Sequence, residues 1–340
     1  MNKRRLTRRQ AWRVNKIQEE RLRRAERKTA AVTDTDPADG PERFGRVMAN
    51  YGALLEIEDE TGAVHRCACR QNLGLPVVGD EVVWQAGREG LSVVTALRPR
   101  RSLLARPDAS GEAKPLAANV DQILVVAAPL PRYDTELIDS YLIAAEALGI
   151  RPVIVLNKID LLDADSRARL EADFAPYRAI GYRLLHASTV ESHGLDALAD
   201  ELRERTSVFV GQSGVGKSSL VKALLPAADV RVGALSEAEH GRHTTSSAHL
   251  YRLACGGALI DSPGVRAFRL WAMNREQLAR GFPEFRPFLG QCRFRDCRHE
   301  NEPGCALRAA VTEGAASLAR LTNFQRIALD IEERHRPEWR

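Results

Sequence analysis

The chain has 340 residues, an apolar fraction of 44% and a formal charge of +5. That composition excludes a fibrous or wholly disordered chain and fits two or three globular domains. No apolar run is long enough to span a bilayer, and the Arg/Lys-rich start lacks the apolar core of a signal peptide, so a cytoplasmic protein with no membrane partner is expected.

The positive charge is a local feature. Residues 1–28 hold twelve Lys and Arg against three Glu, which leaves the remainder net negative. Such a block points to nucleic acid or another anionic surface. Trp12 is its sole aromatic residue, which favours phosphate contact over base stacking; a solvated extension without a partner is the bland alternative. Breaker-rich residues from Thr33 to Pro41 end this tail and linker (residues 1–42).

Residues 43–100 read as about five short strands: Arg43 to Met48, Leu54 to Glu58, Ala63 to Cys69, Val77 to Trp84 with Gly79-Asp80 inside, and Leu91 to Leu97. A small closed barrel of OB type is expected, with an SH3-like barrel as the alternative. Cys67 and Cys69 alternate around Ala68 and read as packed or surface thiols. Residues 98–115 read as a polar connector.

From residue 116 to 275 strands and helices alternate, the pattern of a doubly wound parallel sheet. Gln122 to Ala128 is an apolar run typical of a buried parallel strand. Asp134 caps a helix carrying Leu137, Tyr141, Ala145 and Leu148, with Gly149 at its stop. Pro152 to Leu156 is the next strand, and Asn157-Lys158-Ile159-Asp160 follows it directly. In P-loop GTPases the N-K-x-D tetrad reads guanine. The Asp carboxylate accepts from N1–H and the 2-amino group together, a contact adenine cannot reproduce. Ala187-Ser188, after the next strand, stands where such proteins place a loop whose backbone N–H meets guanine O6, with the usual Ser-Ala order reversed or shifted.

Gly211-Gln212-Ser213-Gly214-Val215-Gly216-Lys217-Ser218 then fits G-x-x-x-x-G-K-[ST] at every fixed position, between a strand and a helix that opens at Ser219. The glycines let backbone N–H groups curl around phosphate, and the helix N-terminus adds partial positive charge. Lys217 neutralises β/γ oxygens and the Ser218 hydroxyl joins a Mg²⁺ shell. Gly241-Arg242-His243-Thr244-Thr245 follows, then a strand ending in Asp261-Ser262-Pro263-Gly264. Asp261 can hold Mg²⁺ through water, the Gly264 N–H can touch the γ-phosphate, and one of Thr244 and Thr245 can complete the metal shell, with Thr245 preferred. Val265 stands where a water-orienting Gln is often found; His243 is the nearest replacement by sequence, with an exposed loop histidine as the alternative.

GTPases usually run phosphate loop, switch Thr, D-x-x-G, N-K-x-D. Here N-K-I-D precedes the phosphate loop, so the domain reads as circularly permuted, with the helix around Gly194 to Arg205 as the new joint. All the motif loops leave one edge of a parallel sheet, where ligands of open α/β sheets bind.

Residues 276–340 contain Cys292-x₄-Cys297-x-His299-x₅-Cys305. Six cysteines in a chain this long do not make a disulfide framework; three thiolates and one imidazole make a closed structural Zn²⁺ set, one ion per chain. Leu318, Leu321, Phe324, Ile327 and Ile331 then recur at helical spacing.

Over roughly residues 43–335 these features together resemble the ribosome-small-subunit-dependent GTPase A family, circularly permuted bacterial GTPases of late small-subunit maturation. The resemblance rests on the permuted motif order, the barrel before it and the Cys-Cys-His-Cys knuckle after it. It implies binding of GTP and GDP, GTP hydrolysis stimulated by the small ribosomal subunit, contact with its rRNA, and a checkpoint role in assembly. A monomer is expected. Two other readings remain open: an RNA-binding protein with a vestigial nucleotide site, separated by GTP turnover, and an ATP-using kinase, separated by nucleotide competition.

Overall fold

The computed structural model describes residues 41–69, 73–87, 92–107, 113–225, 248–261 and 273–334. The basic tail, the segment holding His243, Thr244 and Thr245, and Ser262 to Val265 with Gly264 lie outside the described residues.

Strands β1 (Glu42–Asn50), β2 (Leu54–Asp59), β3 (Val64–Cys69), β4 (Glu81–Gln85) and β5 (Ser92–Leu97) close on themselves in the order β1-β2-β3-β5-β4-β1. The β3–β5 pair is parallel, Cys67 opposite Ser92. This non-sequential closure makes the barrel OB-type and sets aside the SH3-like alternative, because a run of hairpin-joined strands makes no such pair. Side chains alternate along each strand, so Val47, Leu55, Ile57, Cys67, Val82, Trp84 and Val94 fill the interior. The Trp84 indole N–H donates to the Phe44 carbonyl at 3.2 Å.

Two sequence expectations change here. Val77 and Val78 are not part of a strand: Asp80 accepts from the Val77 N–H (2.7 Å) and pairs with Arg100 (2.7 Å), making a tight turn. Residues 98–115 contain a hairpin rather than a featureless connector, β6 (Leu103–Pro107) against β7 (Ala113–Ala118). Its Leu and Ala residues do not alternate with polar ones in a strand pattern, but Leu104, Ala117 and Ala118 are buried, and the Ala118 N–H donates to the Val78 carbonyl at 2.9 Å. Tertiary contact, not amphipathic pattern, makes these residues strands.

The second body is the sheet β10 (Arg183–Ala187), β9 (Arg151–Asn157), β8 (Gln122–Ala127), β11 (Thr206–Gly211), β13 (Ala258–Asp261) and β12 (His249–Arg252), in that spatial order. The first five are parallel and β12 is antiparallel to β13. Every residue of β8 and β11 is buried, as expected for parallel strands covered on both faces. Helix α1 (Thr135–Ala147), capped by Asp134 Oδ1 accepting from the Glu136 N–H at 2.9 Å, and α2 (Ala164–Ile180) cover one face. Helices α3 (Asp196–Leu202) and α4 (Lys217–Leu224) cover the other.

The two bodies form one continuous sheet, since β12 also pairs with β1, Ala49 opposite His249. Arg252 donates to Glu58 (2.9 Å) across the same seam. The C-terminal part, α5 (Arg275–Arg280), a 3₁₀ segment Pro283–Phe288, α6 (Ala306–Thr312) and α7 (Leu318–Arg334), packs on α1. Phe282 and Phe285 stack at 4.6 Å and meet the Phe324 ring edge-on. Inside this contact the Arg320 guanidinium is fully buried, pairs with Asp139 of α1 and with Glu284, and lies 4.8 Å from the Phe282 ring centroid. Asn323 donates to the other Asp139 oxygen at 2.7 Å. Burial raises the Asp139 carboxyl to about 6 although Arg320 and Asn323 pull it down, so this junction is held against a desolvation cost.

Candidate nucleotide and metal sites

Asn157, Ala187, Gly211 and Asp261 are the C-terminal residues of four parallel strands, so the loops after them share one edge of the sheet. The phosphate loop curls through positive φ at Gly211 (141°), Gly214 (83°) and Gly216 (95°). A Cβ on Gly211 would lie 2.2 Å from the Val126 carbonyl oxygen, and one on Gly216 would lie 2.4 Å from Asn157 Nδ2; each position needs glycine for space as well as conformation. Val215 is buried and anchors the loop, whereas Ser213 and Gly214 are exposed. Helix α4 starts at Lys217, whose ammonium donates to the Gly211 and Gln212 carbonyls at 2.8 and 2.6 Å. Ser218 and Asp261 line the same small cavity as Lys217, while Ser219 is exposed in the first turn of α4.

The tetrad after β9 is bonded to this loop. Buried Asn157 donates from Nδ2 to the Val215 carbonyl at 2.9 Å. Lys158 takes a left-handed backbone, φ 59°, and its ammonium donates to the Gly214 (2.7 Å) and Leu130 (2.9 Å) carbonyls. Ile159 is buried and opens a 3₁₀ turn, which turns Asp160 out of the core. The Ser188 hydroxyl donates to Asp160 Oδ1 at 2.6 Å and accepts from the Val190 and Glu191 N–H groups, both at 3.1 Å. The Ser188 N–H is itself engaged with the Gly194 carbonyl at 3.0 Å, so Ser188 acts through its side chain, as a brace for Asp160. Sequence reading weighed only a backbone contact here. The Leu130 carbonyl was missed as well, because nothing in an apolar strand-end turn marks it as a partner for a lysine 28 positions on.

The Cys292, Cys297, His299 and Cys305 ligand atoms all lie within 4.8 Å of one another. His299 Nδ1 is 3.5, 3.6 and 3.4 Å from the three sulfurs in turn. The loop is shaped for this: His299 has φ 62°, the Arg293 N–H donates to the Gly304 carbonyl at 3.0 Å, and Gln325 of α7 donates to the His299 carbonyl at 2.6 Å. Burial, with the neighbouring sulfurs, raises the Cys297 thiol, and burial lowers His299. A cluster of three sulfurs and a neutral imidazole can hold one metal ion, whose charge would compensate the thiolates. Among the described residues no helix is long and apolar enough to cross a membrane.

Comparison with known proteins agrees with this arrangement. The profile of the family described as RsgA GTPase matches residues 97–271. The small ribosomal subunit biogenesis GTPase RsgA of Azotobacter vinelandii is 51% identical, covering 98% of this chain and 99% of its own length. The protein of the same name from Chromohalobacter salexigens is 55% identical, covering 96% and 98%. Among solved structures, YjeQ from Thermotoga maritima superposes with a TM-score of 0.72 at 30% identity, covering 86% of this chain and 99% of that one. YloQ, described as a circularly permuted GTPase, gives 0.69 at 28% identity, with 90% and 100% covered. Near-full-length identity, a matched profile and a shared permuted fold coincide with the loop geometry above: the chain belongs to the RsgA GTPase family.

Proposed function

We propose that this protein is a GTP-hydrolysing assembly factor that binds the small ribosomal subunit through its rRNA and acts in late maturation, with turnover stimulated by the subunit. One observation carries the nucleotide part: Asn157 and Lys158 are hydrogen-bonded to the carbonyls of Val215 and Gly214, so the base-reading and phosphate loops form one bonded unit although 58 residues separate Asn157 from Val215. In this reading Asp160, held by Ser188, accepts from guanine N1–H and the 2-amino group, and the backbone of Gly211 to Ser218 with Lys217 holds the phosphates. The hard oxygen donors Ser218 and Asp261, with Thr245, suit Mg²⁺, which would neutralise charge on the β- and γ-phosphate oxygens. Gly264 serves the γ-phosphate and His243 orients the attacking water, a task Val265 cannot perform.

The same proposal assigns the sulfur–nitrogen cluster to one structural Zn²⁺. With Zn–S about 2.3 Å and Zn–N about 2.0–2.1 Å, tetrahedral S···N edges come to about 3.5 Å, which supports zinc against the observed 3.4 to 3.6 Å. The barrel, the basic tail and the knuckle supply the RNA contacts, and the protein acts as a monomer in the cytoplasm.

The test is steady-state GTP turnover against a titration of purified small subunits, with large subunits as control. The expected result is a poor GTPase alone and a rise of ~10²-fold or more with small subunits, since ordering of a catalytic segment by a partner lowers the barrier by kcal/mol amounts. A rate flat in both titrations rejects the ribosomal reading, even if guanine binding survives.

A further inference from the structure

The parallel sheet also has a second edge, away from the nucleotide loops. Arg151 and Arg183 are the first residues of β9 and β10. At ~3.3 Å per residue, the seven residues of β9 put this edge roughly 20 Å from the N-K-I-D tetrad. A cavity of about 270 Å³ opens there, room for on the order of ten waters. Arg151, Arg183, Tyr182 and Glu146 of the GTPase body line it, with Pro283 and Arg286 of the C-terminal part. Its charges do not balance. Buried Glu201 of α3 is shared by three guanidinium groups, those of Arg151 (2.5 Å), Arg183 (3.4 Å) and Arg205 (2.6 Å). Arg286 pairs with Glu146 at 2.7 Å. Four cations on two carboxylates leave an excess of two positive charges. The C-terminal ends of α1 and α2 border the same space and offset about half a charge each, so it stays positive.

We propose that this cavity binds a small phosphate monoester. Each guanidinium offers N–H donors in a planar fork that matches phosphate oxygens. Few of those donors are committed. Arg151 spends Nη1 on Glu201 and on Gln122 (3.4 Å), and Arg183 reaches Glu201 only at 3.4 Å. A monoester brings about −1.5 to −2 charge at neutral pH, which the positive excess complements. A diester brings less, and an RNA strand is held by cations spaced along a track, whereas these arginines line one cavity. Tyr182 and Pro283 supply apolar wall for the body that carries the phosphate, on the scale of a pentose. Because Arg286 belongs to the C-terminal part and Arg151 and Arg183 to the sheet, the ligand links the two. The site depends neither on the ribosomal reading nor on the nucleotide loops.

The probe is ribose 5-phosphate, titrated calorimetrically into the full chain with Mg²⁺ and saturating GDP, so that the phosphate loop is filled. Ribose is the uncharged control. The variants are Arg183→Gln and Arg286→Gln, with Arg169→Gln on the exposed face of α2 matching the change in charge. Thermal unfolding checks that each folds. One site per chain is expected, with ribose silent and Arg169→Gln unchanged. Arg183→Gln and Arg286→Gln should each bind about tenfold more weakly, the loss of one charge-assisted contact. No binding to wild type at about 10 mM overturns the site, and so does equal weakening by all three substitutions, which is bulk charge. Unchanged affinity in both cavity variants makes the arginine pairs purely structural and overturns it too. If Arg286→Gln fails to fold, Arg183→Gln decides alone. A short RNA with hydroxyl ends, which carries diesters only, is the last arm. It should not displace ribose 5-phosphate; displacement at a lower concentration than the probe itself needs assigns the cavity to an RNA backbone and overturns the monoester.

Discussion

Asp160 shows how far the placement of one side chain is set by atoms of another loop. Its carboxylate is turned outward by the 3₁₀ segment that Ile159 anchors and is held at 2.6 Å by the Ser188 hydroxyl, which two backbone N–H groups fix in turn. An acceptor pinned this way loses little side-chain entropy when it meets a base. We predict that Asp160→Asn moves affinity from GTP toward XTP by ~2–4 kcal/mol, because one charge-assisted pair is unmade and a donor faces the purine edge instead. Calorimetric titration with both nucleotides is the check; unchanged GTP affinity would remove guanine reading from this loop.

The phosphate loop and the Cys-His knuckle are both short elements whose shape depends on one or two backbone positions. Gly216 has φ 95°, and a Cβ there would meet the Asn157 amide that bonds the loop. Gly216→Ala is therefore predicted to cost roughly 1–3 kcal/mol in strain and to lower nucleotide affinity at least tenfold, measured with a fluorescent GDP analogue. The parallel sheet, whose core lies elsewhere, should keep its unfolding midpoint to within a few degrees. In the knuckle, the ligand atoms converge because His299 adopts φ 62° and Gln325 clamps its carbonyl. Cys297→Ser should lower zinc content by elemental analysis and open residues after about 285 to protease, since a structural site supplies folding free energy outright. Full zinc occupancy in variants of all four ligands would refute the site.

In the molecule as a whole, the GTPase body is gripped from both sides. The barrel extends its sheet through β1 and β12, and the C-terminal helices are fastened to α1 by buried Arg320 between Asp139 and Glu284. Removing one member of a buried ion pair strands the other charge. Arg320→Met should destabilise the protein by roughly 3–5 kcal/mol in denaturant unfolding, and Asp139→Leu in the same chain should recover part of that, because it removes one of the two carboxylates left without a partner and leaves Glu284 as the other. Equal stability of the single and double variants would mean that packing by Phe282 and Phe324, not charge, holds the junction.

The loop motifs were legible in the residue order because each is a short contiguous run. A glycine-lysine-serine loop, an N-K-I-D tetrad and a cysteine-histidine knuckle each need particular side chains at fixed local spacing, and the permuted order follows from reading them along the chain. The parallel strands were equally plain, since continuous apolar runs such as Ile123 to Val126 have few other folds available. The closure of the barrel through a parallel β3–β5 pair, the hairpin at Leu103 to Ala118, the brace from Ser188 to Asp160 and the burial of Arg320 were not legible. Each depends on residues brought together from distant parts of the chain: Arg320 meets a carboxylate 181 positions away. A guanidinium on an amphipathic helix reads as solvent-facing until a neighbouring domain covers it. Local propensity speaks for the backbone and the near neighbours of a residue, and burial, which sets the strength of every charge and hydrogen bond, is a property of the assembled fold.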